Sequence, residues 1–387
     1  MNKKISLFLG MISILFCINC TDEDNSSIPE NISSIPEEIT DLTYRTLFVY
    51  AAGDNDLSSM VNYNLTQIKQ GMDGKTINGR VICLADIDGL PTRLLEITPD
   101  GIDTLKDYRK NLNTADPYVF KRAFEDVCKY APSKRYGLVM WSHGSGWLPG
   151  TSTRSFGLDH GYSMNMNDML EAFSGINFDY ILFDACLMSS IELIYELREK
   201  TRYILASPTE TTPGGYPYDV ILPMLFAEDE NLENSLIKVV DTYYNTYKDG
   251  LKGVTVTLSS TKGLENLANK IKELNADLTK VDRSSVQKLS VNGQPMYDFQ
   301  KTYESADNNN SVDWKDALNK VVLREHHTDF YGIGKYIYPG DPYIDIKYCC
   351  GLTSYIPTKS NDNTNRAYLN TAWYKDTHSS SSTNNKK

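Results

Sequence analysis

Two side chains stand where they could do chemistry. Tyr136-Gly-Leu-Val-Met-Trp-Ser-His143-Gly-Ser-Gly-Trp147 is an apolar run that stops at a histidine and a glycine turn. Phe178-Asp-Tyr-Ile-Leu-Phe-Asp184-Ala-Cys186-Leu-Met-Ser-Ser190 stops in the same way at a thiol. A thiolate is a strong nucleophile but is scarce at neutral pH unless its pKa is lowered. Two causes suggest themselves for Cys186. A helix expected around 189–199 would favour negative charge at its start, and an imidazolium at His143 would pair with the thiolate. His143 would then protonate a leaving amine and activate water. Gly144 allows a turn tight enough for its N–H to join that of Cys186 in an oxyanion hole. Taken singly, the pair also reads as a buried structural cysteine and a satisfied strand-end histidine. The two matching strand-end placements favour a cysteine hydrolase site.

Elements that could position such a pair run along the chain. Thr46-Leu-Phe-Val-Tyr-Ala-Ala52 is a near-continuous apolar run of the buried parallel kind. Further strands are expected at 81–86, 136–141, 180–183 and 203–206, with a hairpin around 93–98. Helices are expected after Asp56, from Pro117 with Asp116 as cap, near 166–173, and after Cys186. Strands alternating with helices predict an α/β fold with a mostly parallel sheet. In such sheets sites collect at the carboxyl ends of the strands. Asp54, Asn55, Asp56, His143, Asp184 and Cys186 all fall at those ends. Beyond 207 the pattern loosens. Helices fit 232–248 and 262–278, strands fit 254–258 and 348–357, and residues 280–345 resist assignment.

The chain has 387 residues, 39 Lys+Arg and 50 Asp+Glu, a net charge of -11. No basic run or aromatic-basic interleaving points to nucleic acid. Lys3-Lys4 precede an apolar stretch at 5–16, too short to span a bilayer comfortably and suited to a signal peptide over residues 1–19. Cys17-Ile-Asn-Cys20 and Asp22-Glu-Asp24 follow. They resemble a Bacteroidetes lipoprotein signal, with Cys20 lipidated and the acidic residues directing surface export, although Asn19 replaces the usual small residue. Residues 20–43 read as a lipidated acidic tether, in which Ser26-Ser-Ile-Pro-Glu30 recurs as Ser33-Ser-Ile-Pro-Glu37. The resemblance implies an exported outer-membrane lipoprotein at the cell surface, touching the membrane through its anchor alone.

The His-Gly strand end, followed by Asp-Ala-Cys at another strand end, resembles the clostripain family of cysteine peptidases. Val49-Tyr-Ala-Ala-Gly-Asp-Asn-Asp-Leu57, the segment after the nucleophile, Ala206-Ser207 and Gly351-Leu-Thr-Ser-Tyr-Ile-Pro357 agree with it. The resemblance implies a caspase-like three-layer α/β/α sandwich over a peptidase domain at 44–375, followed by a disordered polar tail at 376–387. It implies a Cys/His dyad, no required cofactor, calcium as a candidate activator, and a monomer that cleaves proteins or peptides after Arg or Lys. Asp184 matches an acid of the specificity pocket, Asn55 a pocket-side asparagine, and Thr211 a pocket-wall residue. One departure stands in Thr211-Thr-Pro-Gly-Gly-Tyr-Pro-Tyr-Asp219, where glycine occupies the place of a second pocket acid. Activation in the family commonly involves a cut between His and Cys. Arg154 is the basic residue of the exposed-looking Gly150-Thr-Ser-Thr-Arg154-Ser155-Phe156 stretch, so autocleavage is expected there. Competing readings are a binding protein without activity and a cysteine peptidase of non-basic preference.

Other signals carry less. Asp54, Asn55 and Asp56 have oxygen chemistry suited to calcium but no EF-hand spacing, and turn or helix capping is the simpler role for the two acids. Glu325-His326-His327 is not His-Glu-x-x-His, and no ligand set for zinc appears, so no metal site is expected. Gly74-Lys75-Thr76 lacks the rest of a phosphate loop. Cys83 and Cys128 read as core residues, and Cys349-Cys350 as ordinary strand positions rather than a strained disulfide.

Overall fold

A computed structural model describes residues 42–148, 156–290, 295–307, 312–332, 343–360 and 362–378. Cys20, the tether repeat, Arg154 and residues 379–387 of the expected polar tail lie outside the described residues, whereas residues 376–378, also expected in that tail, end a helix over Ala372–His378.

Fifteen strands are described: β1 (Thr43–Gly53), β2 (Gly79–Ile87), β3 (Arg93–Ile97), β4 (Ile102–Asp107), β5 (Ser133–Trp141), β6 (Phe156–Asp159), β7 (Tyr162–Met164), β8 (Phe178–Asp184), β9 (Thr201–Ala206), β10 (Thr255–Ser260), β11 (Met296–Asp298), β12 (Val322–His327), β13 (Phe330–Gly332), β14 (Tyr343–Asp345) and β15 (Thr353–Tyr355). Nine of them form one sheet in the order β12-β10-β9-β8-β5-β1-β2-β3-β4. The five central strands are parallel, and antiparallel strands extend both margins.

Successive side chains of a strand point to opposite faces. In β1, Phe48, Tyr50 and Ala52 enter one apolar core, and Leu47, Val49 and Ala51 the other. A strand buried on both faces therefore needs an unbroken apolar run, as its sequence suggests. The first core is closed by α2 (Pro117–Tyr130), α3 (Met166–Ala172), α4 (Ile191–Glu196), α7 (Leu264–Leu274), α8 (Phe299–Ala306) and α9 (Asp313–Val321). The second is closed by α1 (Ser58–Gln70), α5 (Tyr218–Ile221) and α6 (Asp229–Tyr247). The molecule is a three-layer α/β/α sandwich with a mostly parallel central sheet. Helix α2 starts as its sequence predicts: Asp116 accepts the Tyr118 N–H, and Pro117 occupies a position that needs no donor.

Three expectations need correction. The strand expected over 348–357 is short, spanning Thr353–Tyr355 alone, because the preceding residues form a connection held by side chains. The helix after Cys186 begins at Ile191, with Ser190 as its cap, so Cys186 sits in a connecting turn rather than at a helix start. Neither Asp54 nor Asp56 caps α1, whose cap position is Leu57 without a side-chain bond.

Candidate active site

The parallel register fixes the relation between histidine and cysteine. Trp141 of β5 lies opposite Asp184 of β8, and the Ser142 N–H donates to the Asp184 carbonyl at 3.3 Å. His143 and Cys186 are each two residues beyond that last pair. They emerge side by side at the carboxyl edge of adjacent strands. Gly144 lies against the backbone of Cys186: a Cβ there would meet the Cys186 carbonyl oxygen at 2.4 Å and its nitrogen at 2.9 Å. Only glycine allows the two turns to approach this closely. The Ser142 hydroxyl donates to the Ala52 carbonyl at 2.6 Å, tying the histidine turn to β1.

The imidazole is half-buried and its Nε2 lies 2.6 Å from Asp56 Oδ1. Sequence reasoning gave Asp56 to capping, since the spacing of 87 residues hides this partner. A carboxylate on one ring nitrogen orients the imidazole. The thiol is held from another direction. The Thr211 N–H donates to Cys186 Sγ at 3.4 Å, and the Thr211 hydroxyl lies 3.6 Å from the same sulfur. Thr211 thus belongs to the immediate surroundings of Cys186.

The expected fall in the Cys186 pKa is not present in this arrangement. Burial pushes the thiol up, the Glu210 carboxylate adds to this, and the Thr211 donors and the Lys252 ammonium pull against it. Lys252 is itself paired with Glu210 at 3.0 Å. Loss of the helix-start position removes one assumed cause. The groups acting on the thiol are Glu210, Thr211 and Lys252, and the imidazole meets Asp56.

Asp184 lies two residues before the cysteine and is 4% exposed. Its Oδ2 accepts the Tyr216 N–H at 3.1 Å and the Tyr218 hydroxyl at 2.8 Å, both from the loop after β9. Burial raises its pKa to about 6, against the opposing pull of those two donors. No lysine, arginine or histidine pairs with it among the described residues. Asn55 sits at the end of β1, across β5 from β8. Its amide nitrogen donates to the Ala52 and Leu158 carbonyls at 3.1 and 2.8 Å, so it fastens β6 to the sheet. Thr211 and Asp184 are brought to the cysteine strand, whereas the Asn55 amide is engaged by backbone.

The Asp54, Asn55, Asp56 turn does not assemble as a calcium set. Asp56 faces His143, and Asp54 groups with Asp159 and His160, whose ligand atoms lie within 4.8 Å of one another. Those carboxylates already accept from Asn111 and Thr114. One imidazole and two engaged carboxylates do not fit the six to eight oxygens that calcium takes.

The sequence and fold match known proteins. A sequence model described as the clostripain family matches residues 49–333. An inactive zymogen C11 protease from Parabacteroides distasonis superposes with a TM-score of 0.77 at 30% identity, covering 88% of this chain and 99% of that one. A secreted C11 cysteine protease from Bacteroides thetaiotaomicron, solved with an irreversible peptide inhibitor, gives 0.76 at 27% identity, with 87% and 99% covered. No curated protein matches the chain. A family match over most of the chain, on a sheet that ends in adjacent histidine and cysteine turns, makes this protein a cysteine peptidase of the clostripain family.

Proposed function

We propose that the peptidase works through a Cys186–His143 dyad and cleaves after basic residues. The observation that carries the dyad is the register: two neighbouring parallel strands end together at Trp141 and Asp184, each two residues before one member of the pair. Cys186 attacks the scissile carbonyl, and His143 takes the thiol proton and delivers it to the leaving amine. The amides of Gly144 and Cys186 receive the oxyanion. Asp56 is a positioning residue that acts through the imidazole. This chemistry needs no cofactor.

Basic preference rests on Asp184, a buried carboxylate beside the nucleophile that faces neutral donors alone. A guanidinium or ammonium from the substrate would supply its counter-charge. Thr211 forms the wall next to the sulfur, and Asn55 acts at a distance by holding the β1 turn.

The raised Cys186 pKa and the engaged histidine suit a chain awaiting activation, and one solved relative is an inactive zymogen. We assign the activating cut to Arg154. Export is supported by the secreted relative and by the leader. Lipidation at Cys20, a surface location, a peptidase domain at 44–375 and a monomeric state complete the reading. Among the described residues no helix is long and apolar enough to cross a membrane.

The test is a fluorogenic Arg-peptide assay on wild type and Cys186→Ala, with N-terminal sequencing of both. The proposal expects turnover by wild type alone and a cut after Arg154 in wild type alone. No cleavage by folded wild-type protein would favour a binding protein, and a cut persisting in the mutant would remove autocleavage.

A further inference from the structure

A second cluster of metal-binding chemistry includes neither residue of the dyad. Glu325, His327 and Cys349 each offer one ligand atom, and those atoms lie within 4.8 Å of one another. Glu325 and His327 occupy one face of β12, two residues apart, with Glu325 Oε1 2.7 Å from His327 Nδ1. The buried Cys349 comes from the connection before β15. The twenty-one residues between His327 and Cys349 conceal the grouping from a reading of local spacing.

The backbone around Cys349 is built to stay there. Gly351 has φ +89°, and a Cβ on it would meet Thr257 Oγ1 at 2.7 Å and Glu325 Cγ at 3.0 Å. Glycine therefore lets the connection lie directly over β10 and β12. Asp298 accepts the Cys350 N–H at 2.7 Å. The Gly351 carbonyl accepts from the Ser189 and Thr257 hydroxyls at 2.6 and 2.9 Å. Neighbouring candidates are engaged elsewhere: His326 pairs with Asp241 and stacks on Tyr244, and the Cys350 sulfur accepts the Gln300 N–H at 3.4 Å.

We propose that Glu325, His327 and Cys349 bind a zinc ion, with water as the fourth ligand. Thiolate, imidazole and carboxylate are the donors this ion takes in tetrahedral sites. Around one zinc such atoms stand roughly 3–4 Å apart, so the carboxylate and imidazole part slightly as the ion enters between them. The Cys349 thiol releases its proton to solvent as the sulfur–zinc bond forms, and His327 binds as neutral imidazole. The ion would clamp β12 to the 349–353 connection. That connection also holds the turn after the nucleophile, since the Thr353 N–H donates to the Ser189 carbonyl at 2.9 Å. The role is structural support behind the active site, separate from the peptidase reaction.

The test uses the full chain with Cys186→Ala, so that the dyad cysteine cannot bind metal. The reduced protein is titrated with Zn2+ against a chromophoric chelator, and separately with Co2+. The expected results are one Zn2+ per chain, a rise in Tm on binding, and a thiolate-to-cobalt charge-transfer band. Cys349→Ser abolishes the band, and His327→Gln and Glu325→Gln weaken Zn2+ by more than the roughly 10–100-fold typical of an outer-shell change. Cys350→Ser leaves binding intact. Metal-free melting curves separate misfolding from ligand loss, and His327→Gln and Glu325→Gln test the site without disturbing the packed cysteine. No Zn2+ bound by the reduced chain, a band that survives Cys349→Ser, or equal loss in Cys350→Ser overturns the site.

Discussion

Strand β8 carries an aspartate near each end, and both are 4% exposed. At the amino end Asp179 accepts from Arg45 at 2.7 Å, Arg135 at 3.1 Å and Arg202 at 2.7 Å. Arg45 is fully buried, and Arg135 and Arg202 continue to Asp229 at the start of α6. Burial would raise the Asp229 carboxyl, but the surrounding guanidiniums hold it below its usual value. At the carboxyl end Asp184 has an amide and a phenol for partners, and its pKa is pushed up to about 6. Equal burial on one strand thus gives two outcomes. One charge is neutralised inside the fold, and the other has neutral donors alone among the described residues.

The largest expected effect comes from Asp179→Asn. It leaves three guanidiniums, one fully buried, without their central carboxylate. Unfolding free energy in denaturant should fall by about 3–5 kcal/mol, with activity per folded molecule unchanged. A loss below about 1 kcal/mol would mean that the network carries little of the stability.

Asp184→Asn should do the reverse. The asparagine oxygen can still accept from Tyr216 and Tyr218, so folding is preserved. The ratio of kcat/KM for an arginine peptide over its neutral citrulline counterpart should fall by about 10²–10³. An unchanged ratio would remove Asp184 from the specificity pocket.

Asp184 can also be followed by titration. The folded pKa of Asp184 is raised above its ordinary 3.8 to about 6, so the folded state holds the proton more tightly. The resulting stabilisation is fully present below pH 3.8 and is lost as pH rises through about 6. It amounts to on the order of 3 kcal/mol. Asp184→Asn should flatten this part of the stability-versus-pH curve and match or exceed wild type at pH 8. A curve with unaltered slope would contradict the raised pKa. Buried Asp86 and Glu192, each raised to about 7, set the remaining slope in the same direction.

The smallest effect is expected at Asp56→Asn. Asp56 is 61% exposed, so its pull on His143 is screened by solvent. The rate should drop by at most about tenfold, with the loss falling on kcat rather than KM. A loss as large as that of Cys186→Ala would make Asp56 an obligate third member.

The parallel centre of the sheet was legible because its strands are buried on both faces, and burial writes itself as unbroken apolar runs. His143 and Cys186 were legible for the same reason, since such runs end abruptly on them. Strand β12, Val-Leu-Arg-Glu-His-His, was not. An edge strand with partly exposed positions tolerates charge, so its alternation is lost. The His143–Asp56 pair, the cover of Thr211 over the thiol and the Cys349 cluster depend on contacts between distant segments. No local period encodes these. The expected helix start at Cys186 failed because Ser190 caps the helix four residues later.

The central claim is that Cys186 is the nucleophile and that a basic side chain brings it its substrate. The direct measurement is mass-spectrometric mapping of the adduct formed by an irreversible peptide electrophile bearing arginine at the cleavage position. The account predicts one adduct, on the peptide containing Cys186, formed much more slowly after His143→Ala and blocked by excess arginine substrate. An adduct on Cys128, Cys349 or Cys350 instead, or labelling of Cys186 indifferent to His143, would contradict it.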